Sequence, residues 1–403
     1  MKVGIIGGGA SGMVAAIFAA KQGANVTIFE QADRVGKKLL MTGNGRCNYT
    51  NLDQDLSHYH GLDPTFAESI FYQFSMEDTL SFFASLGILK KEKNGYVYPY
   101  SEQASAILDV LRMELAASRI CVICEEKIRQ VQKKKQFMVK TSNKTWFFDS
   151  VIVATGSMAA NLKGVDESGY HIASAFGHTV RKPLPALVSL RTKEAFFTQI
   201  AGVRCDARLT LYADEKVMGT ERGELQITSY GISGIVTFQL SHIVARSIAE
   251  QKKVRMQIDF MPQMNEEEFS VFFKDRILNS SEKLSEELLI GMLNKKLSLL
   301  LLKEAQISPS CMVNQLSKEK LKKLEFLIKN FSVRILETNS MKEAQVACGG
   351  IVTGELTSKL ESKLVKGLYF CGEIIDIHGD CGGYNLQWAW SSGAVAGRSA
   401  ATC

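Results

Sequence analysis

Proline is scarce. Six prolines in 403 residues leave no room for a proline-rich linker or a low-complexity tail. Charge of one sign is not in great excess either. Lys and Arg total 48 against 42 Asp and Glu, a net charge of +6. That is mild for this length and only weakly compatible with an anionic partner. No HExxH, nucleophilic triad or paired-carboxylate pattern appears, so no chemistry carried by side chains alone announces itself. Long apolar runs are missing. Leu297–Leu302 is too short to cross a bilayer and reads as part of a buried helix. Residues 3–20 carry no charge, but Gly4, Gly7, Gly8, Gly9 and Gly12 suit neither a membrane helix nor a signal peptide. The nine cysteines form no dense framework, and the odd count points to reduced thiols and a cytoplasmic protein without a membrane role. Cys121 and Cys124 make a CxxC, but it lies in Arg119-Ile-Cys-Val-Ile-Cys-Glu125, which reads as a strand. A strand puts the two sulfurs on opposite faces, unlike a redox or metal motif.

The remaining composition is ordinary: 46% hydrophobic and 22% charged residues exclude whole-chain disorder. The length exceeds the ~250–300 residues at which one core stops growing, so two or three domains are expected.

The N-terminus is the most informative stretch. Lys2-Val-Gly-Ile-Ile-Gly7 reads as a buried strand entering a glycine turn. Ala10–Gln22 has helical spacing, and Ala24-Asn-Val-Thr-Ile-Phe29 is a second strand with Glu30 at its end. Gly7, Gly9 and Gly12 complete a GxGxxG pattern. In this arrangement the first glycine permits the tight turn, the second lets the backbone approach a pyrophosphate, and the third allows close helix–strand packing. The flanking Ala10 and Ser11 open the helix, whose unpaired N–H groups and positive dipole end attract a diphosphate. Glu30 follows Gly12 by 18 residues and suits an unphosphorylated ribose, favouring FAD or NAD over NADP.

Three later stretches choose FAD. Residues 34–51 form a Gly- and Asn-rich segment containing Gly43, Asn44, Gly45, Cys47 and Asn48, with Lys37, Lys38 and Arg46 adding positive charge. Such a loop exposes many backbone donors, although a solvated surface loop has the same composition. Asp149-Ser-Val-Ile-Val-Ala154-Thr155-Gly156 is a buried strand ending in small residues, as beside the cofactor of two-dinucleotide-fold flavoproteins. Finally, Gly367-Leu-Tyr-Phe-Cys-Gly372-Glu373 is a strand ending in Gly-Glu. Gly382-Gly383-Tyr384-Asn385-Leu386 then opens a helix to about Ala401. A helix N-terminus there offers N–H groups to the flavin pyrimidine edge.

With these pieces in hand, the chain resembles the BaiN/RdsA-like (YhiN-like) family of FAD-dependent oxidoreductases over nearly its whole length. The resemblance rests on Gly7–Gly12, Gly36–Asn48, Gly349–Val352, Gly372–Asp376 and Gly382–Gly393. It implies an α/β, two-dinucleotide-binding (Rossmann-like) FAD domain that is discontinuous, interrupted by an inserted β-rich plus helical domain. It implies FAD held along Gly7–Gly12, Glu30, Lys37–Asn48 and Gly372–Leu386, the latter including Glu373 and Asp376, with Ile128 contacting adenine. Family members are associated with reduction of carbon–carbon double bonds, in a uracil ring of ribosomal RNA or in unsaturated steroid-like acids. One motif departs: where members commonly carry Thr-His-x-Gly-x-Ser-Gly-Pro, this chain has Ser229 for the histidine and Ile235 for the proline.

The expected boundaries are 1–185 and 341–403 for the FAD domain, 186–260 and 331–340 for the β-rich substrate domain, and 261–330 for a helical subdomain. Alternating runs such as Ala207-Arg-Leu-Thr-Leu-Tyr predict antiparallel strands in a small barrel or sandwich. Asn265 and Ser317 read as helix N-caps. Residues 251–330 hold 14 basic and 11 acidic side chains, interleaved as on a solvated face rather than in an RNA-binding stripe.

Adding hydride to one carbon of a double bond requires a general acid for the other. Cys47 and Tyr384 are the leading candidates, with Tyr230 and His378 behind them. A small residue packed under the flavin is the competing account of Cys47, and an ordinary loop residue that of His378. The chain has one nucleotide fingerprint, so NAD(P)H, the expected reductant, docks transiently or is replaced by another donor. Substrate, small-molecule or ribosomal RNA, and oligomeric state are not read from the sequence. A small-molecule flavin oxidase or dehydrogenase and a non-catalytic flavin scaffold are the alternatives.

Overall fold

The computed structural model describes residues 1–162 and 164–402. The chain forms two compact units, Met1–Leu184 with Met341–Cys403, and Pro185–Ser340. Among the described residues no helix is long and apolar enough to cross a membrane.

The first unit is built on a five-stranded parallel sheet. β1 (Lys2–Ile6) pairs on one side with β2 (Asn25–Phe29) and on the other with the strand Ser150–Val153. Leu368–Phe370 and Cys121–Ile123 form the edges. The central strands are apolar runs because both faces are covered. α1 (Ala10–Lys21) returns the chain from β1 to β2, and every residue from Ser11 to Ala19 is buried. A helix enclosed on all sides needs no polar stripe, which is why this one reads as uniformly apolar.

Its closest neighbour is the C-terminal helix Tyr384–Ala400. Gly393 and Gly397 make that approach possible: a Cβ there would lie 2.5 Å from Ser11 O and 2.2 Å from Ala15 O. The two helices therefore meet backbone to backbone. A three-stranded antiparallel sheet, residues 128–148, packs Phe148 onto Gly4 of β1, where a Cβ would sit 2.7 Å from the ring.

The second unit is a closed antiparallel barrel with helices. Its strands run in the order Leu190–Thr192, Gly231–Ser233, Lys216–Thr228, Arg204–Ala213, Val254–Asp259 and Phe331–Thr338, which closes onto the first. Of the barrel and the sandwich, the barrel is the form adopted. Leu209, Leu211, Leu225, Met256, Ile258 and Val333 fill its core. Asn265 and Ser317 cap helices Glu266–Leu278 and Lys318–Lys329 through side-chain bonds to Glu268 N and Lys320 N, as their sequence positions require. Leu297–Leu302 lies in a buried helix. Cys121 and Cys124 are free thiols at the end of an edge strand.

Candidate functional site

The glycine turn after β1 separates two kinds of glycine. At Gly7, φ is +106° and a Cβ would meet Ala154 O at 2.4 Å; at Gly12 it would meet Gly7 O at 2.0 Å. Neither position has room for a side chain. Gly9 differs: its missing Cβ would meet nothing within 4 Å, so open space adjoins the start of α1. No side chain caps that helix, leaving its first-turn N–H groups to Ala10 and Ser11 without a capping acceptor.

Glu30 is fixed beside the turn. Its Oε2 accepts from Gly8 N at 2.9 Å and its Oε1 from Ala32 N at 2.7 Å. The Glu30 carbonyl accepts from Glu126 N at 3.0 Å, which brings the chain two residues before Ile128 alongside. Ile128 begins the antiparallel sheet and is half-buried. Ala154, Thr155 and Gly156 follow their parallel strand, with Ala154 N bonded to Ile6 O. Gly156, at φ +70°, also faces open space.

The Lys37–Asn48 segment folds into tight 3₁₀ turns. Gly43, Asn44, Gly45 and Cys47 all take positive φ, between +54° and +82°. This is why glycine and asparagine crowd there. Asn48 Oδ1 accepts from Val97 N and ties the segment to the strand Tyr96–Pro99. The positive charges are already matched: Lys37 pairs with Asp33, and Lys38 Nζ lies 2.7 Å from Glu373 Oε2. Arg46 stacks over Tyr98 at 5.5 Å. Cys47 is fully buried, and burial pushes its thiol up to about 12. Its side chain packs within the hydrophobic core of the first unit.

The C-terminal motifs converge on the same turn. Gly372 (φ +78°) has no room for a Cβ, which would meet Ser11 Oγ at 2.4 Å. Trp388 Nε1 donates to Gly372 O, and Ser392 Oγ accepts from Gly372 N. Glu373 Oε1 also accepts from Ser157 Oγ and Ala347 N. Asp376 is fully buried. Its Oδ2 accepts from Leu62 N and Arg181 Nη1, while its Oδ1 has no partner among the described residues. Gly382 and Gly383 take positive φ, and Asn51 Nδ2 donates to Gly382 O. Asn385 braces the preceding loop through Gly379 N, Gly379 O and Asp380 O. Leu386 packs against the core.

Tyr384 opens the C-terminal helix, which has no side-chain cap. It is buried, and burial with the nearby Asp53 and Asp380 carboxylates holds its phenol well above the ordinary tyrosine range. Tyr230 lies in the second unit, stacked under Arg191 at 5.1 Å. The loop reading of His378 is corrected. It sits in the strand Ile377–Gly379, 3% exposed, opposite His60 of Tyr59–Gly61. Sequence reasoning also missed His58, His60, Asp53 and Asp380. Asp53, His58 and His60 are near neighbours in the chain, but the Asp380 that joins them lies 320 positions beyond His60, and no local spacing marks the group.

FAD fits this arrangement on two observations. Space stands open at Gly9, Gly45 and Gly156, where a Cβ would touch nothing. A buried carboxylate oxygen of Asp376 also has no donor among the described residues, and a ribityl hydroxyl would provide one. Among the described residues no group of His, Cys, Asp or Glu suits a metal ion.

Comparison with known proteins agrees with the motifs. A 3-dehydro-bile acid delta(4,6)-reductase of Clostridium scindens is 41% identical over 404 residues, 99% of each chain. A ribosomal RNA dihydrouridine synthase of Haemophilus influenzae is 32% identical, covering 96% of this chain and 95% of the relative. In fold, the chain is similar to a 3-ketosteroid delta1-dehydrogenase from Sterolibacterium denitrificans solved with 1,4-androstadiene-3,17-dione, with a TM-score of 0.50, 11% identity and 99% of both chains covered. The family described as HI0933-like protein Rossmann domain matches residues 1–399, which bears out the resemblance read from the motifs, and the chain belongs to that family.

Proposed function

We propose that this protein is an FAD-dependent reductase acting on carbon–carbon double bonds conjugated to a carbonyl, in a small-molecule acceptor. The observation that carries the reading is the meeting of three distant glycine motifs. Gly7–Gly12, Gly372–Glu373 and Gly382–Leu386 are joined through Ser11, Trp388 and Ser392, with two helix N-termini left without side-chain caps. Gly9, Ala10 and Ser11 would hold the diphosphate, Glu30 the adenosine ribose, Asp376 the ribityl chain, and Gly382–Leu386 the pyrimidine edge. Bound there, FAD supplies the hydride chemistry. The chain's own task is to orient the cofactor and supply the proton. Tyr384 is the proposed donor, because it stands at the start of the helix proposed to hold the pyrimidine edge. NAD(P)H is the proposed reductant, and the cytoplasm the proposed compartment.

The 41% identity to a reductase of unsaturated bile acids supports the small-molecule acceptor. A uracil ring in ribosomal RNA is the second reading, supported by the 32% relative. Purified protein is expected to be yellow, absorbing near ~450 nm as flavoproteins do. Anaerobic stopped-flow reduction by NADH and NADPH, then reoxidation by enones, tests the reaction. Colourless protein that does not reconstitute with FAD overturns it. A deletion strain lacking dihydrouridine in ribosomal RNA, with salt-sensitive RNA binding, would transfer the assignment to the second reading.

A further inference from the structure

Three of the chain's six histidines, His58, His60 and His378, come together where Tyr59–Gly61 pairs with Ile377–Gly379. None belongs to the glycine motifs. His58 Nδ1 lies 3.1 Å from Asp380 Oδ2, and its Nε2 lies 3.2 Å from Asp53 Oδ2. His60 Nε2 lies 2.8 Å from the other oxygen of Asp380. A neutral imidazole has one N–H. Only the doubly protonated ring donates to a carboxylate on each side, so this geometry selects the imidazolium of His58.

The ring is also placed against the proposed proton donor. His58 stacks on Tyr384 with centroids 4.4 Å apart and planes 19° from parallel. The charged groups acting on the pair are Asp53, Asp55 and Asp380, with Tyr96 adding to their effect on the phenol. Three carboxylates oppose formation of a phenolate, and His58 is the cation in contact with its ring.

We propose that His58 is a positioning residue whose imidazolium, held between Asp380 and Asp53, sets how readily the Tyr384 phenol gives up its proton. The inference rests on the reading of Tyr384 as donor. In the step, the Tyr384 O–H bond breaks and leaves its electron pair on oxygen. The proton forms the new C–H bond at the carbon that does not receive hydride. The resulting phenolate carries one negative charge, and the stacked imidazolium offsets it. Solvent restores the proton through the half-buried cluster, where His58 and His60 side chains are 28% and 27% exposed.

The two carboxylates raise the imidazole above its ordinary value of 6.5 against the opposing effect of burial. The charged, active form therefore persists to higher pH than for a free imidazole and is lost as pH rises further. The test uses FAD-loaded protein, reduced by dithionite and reoxidised anaerobically by 2-cyclohexen-1-one across pH 5.5–9. Wild type should lose rate on the alkaline side. His58→Phe keeps the stack without the charge and should flatten that limb. It should slow the step roughly tenfold at low pH, the equivalent of about one pKa unit in the donor. Asp380→Asn should move the limb to lower pH. Flavin content should be unchanged in both, so that a moved limb does not stem from lost cofactor, and a merely structural role would leave the limb where it is. An unmoved limb in His58→Phe overturns the proposal. Imidazole NMR gives a readout without turnover: the His58 midpoint should exceed 6.5 in wild type and fall in Asp380→Asn. A midpoint at or below 6.5 overturns the proposal even if no enone reacts. Colourless wild-type protein, by contrast, overturns the functional reading itself.

Discussion

Gly9 and Gly12 lie three residues apart in one motif, yet the structure assigns their replacement opposite consequences. At Gly9 the backbone has φ −76° and ψ −168°, a conformation open to alanine, and the added methyl meets no atom within 4 Å. Gly9→Ala should leave the apoprotein as stable as wild type, or more so by about 0.4–1 kcal/mol through the stiffer unfolded chain. The methyl would stand where a diphosphate must approach. Overfilling such a contact costs about 1–3 kcal/mol, which weakens FAD binding by roughly 5- to 150-fold. At Gly12 the new Cβ would lie 2.0 Å from Gly7 O, a backbone atom inside the turn. Relief requires α1 to shift away from β1. That loss of packing costs about 3 kcal/mol, or roughly 6–12 °C in melting temperature for a domain of this size. Melting of flavin-stripped protein reports the first quantity, and titration with FAD by fluorescence quenching the second. Gly9→Ala protein that binds FAD like wild type refutes the placement of the diphosphate. Gly12→Ala protein that melts with wild type refutes the packing argument.

Two further outcomes follow from the packing. His178 has a fully buried side chain, with Glu355 Oε2 3.0 Å from Nδ1 and Ser362 Oγ 2.7 Å from Nε2. Burial lowers its pKa from the ordinary 6.5. The unfolded chain therefore takes up this proton first, so the stabilisation is complete above 6.5 and is lost as pH falls below it. The contribution has a slope of at most about 1.4 kcal/mol per pH unit. Thermal melts from pH 8 to 5.5 should show it in wild type and a shallower fall in His178→Gln; equal slopes would reject the assignment. In the second unit, Lys329 Nζ is buried against Asp259 Oδ2 at 2.8 Å and the carbonyls of Met261 and Met264. Lys329→Ala should cost about 3–5 kcal/mol by stranding the carboxylate. Denaturant unfolding measures the loss, and Asp259→Leu combined with Lys329→Met should recover much of it.

The nucleotide-binding half of this molecule is legible from local sequence. GxGxxG, the strand before it and Glu30 after it are local, because a tight turn, a helix start and a strand end are short-range structures whose backbone demands particular residues. The capped helices at Asn265 and Ser317 and the alternating strands of the insert were legible for the same reason. What came only from tertiary structure involves residues hundreds of positions apart. Gly397 is small because Ala15 O would lie 2.2 Å from its Cβ, and no local rule anticipates that contact. Cys47 is fully buried, which its glycine- and asparagine-rich surroundings in the sequence do not announce. His378 read as a loop residue until its strand paired with residues 59–61 and set it opposite His60. Propensity and periodicity act over a few residues, whereas burial and the company a titratable group keeps are set by which distant segments the sheet and the two long helices bring into contact.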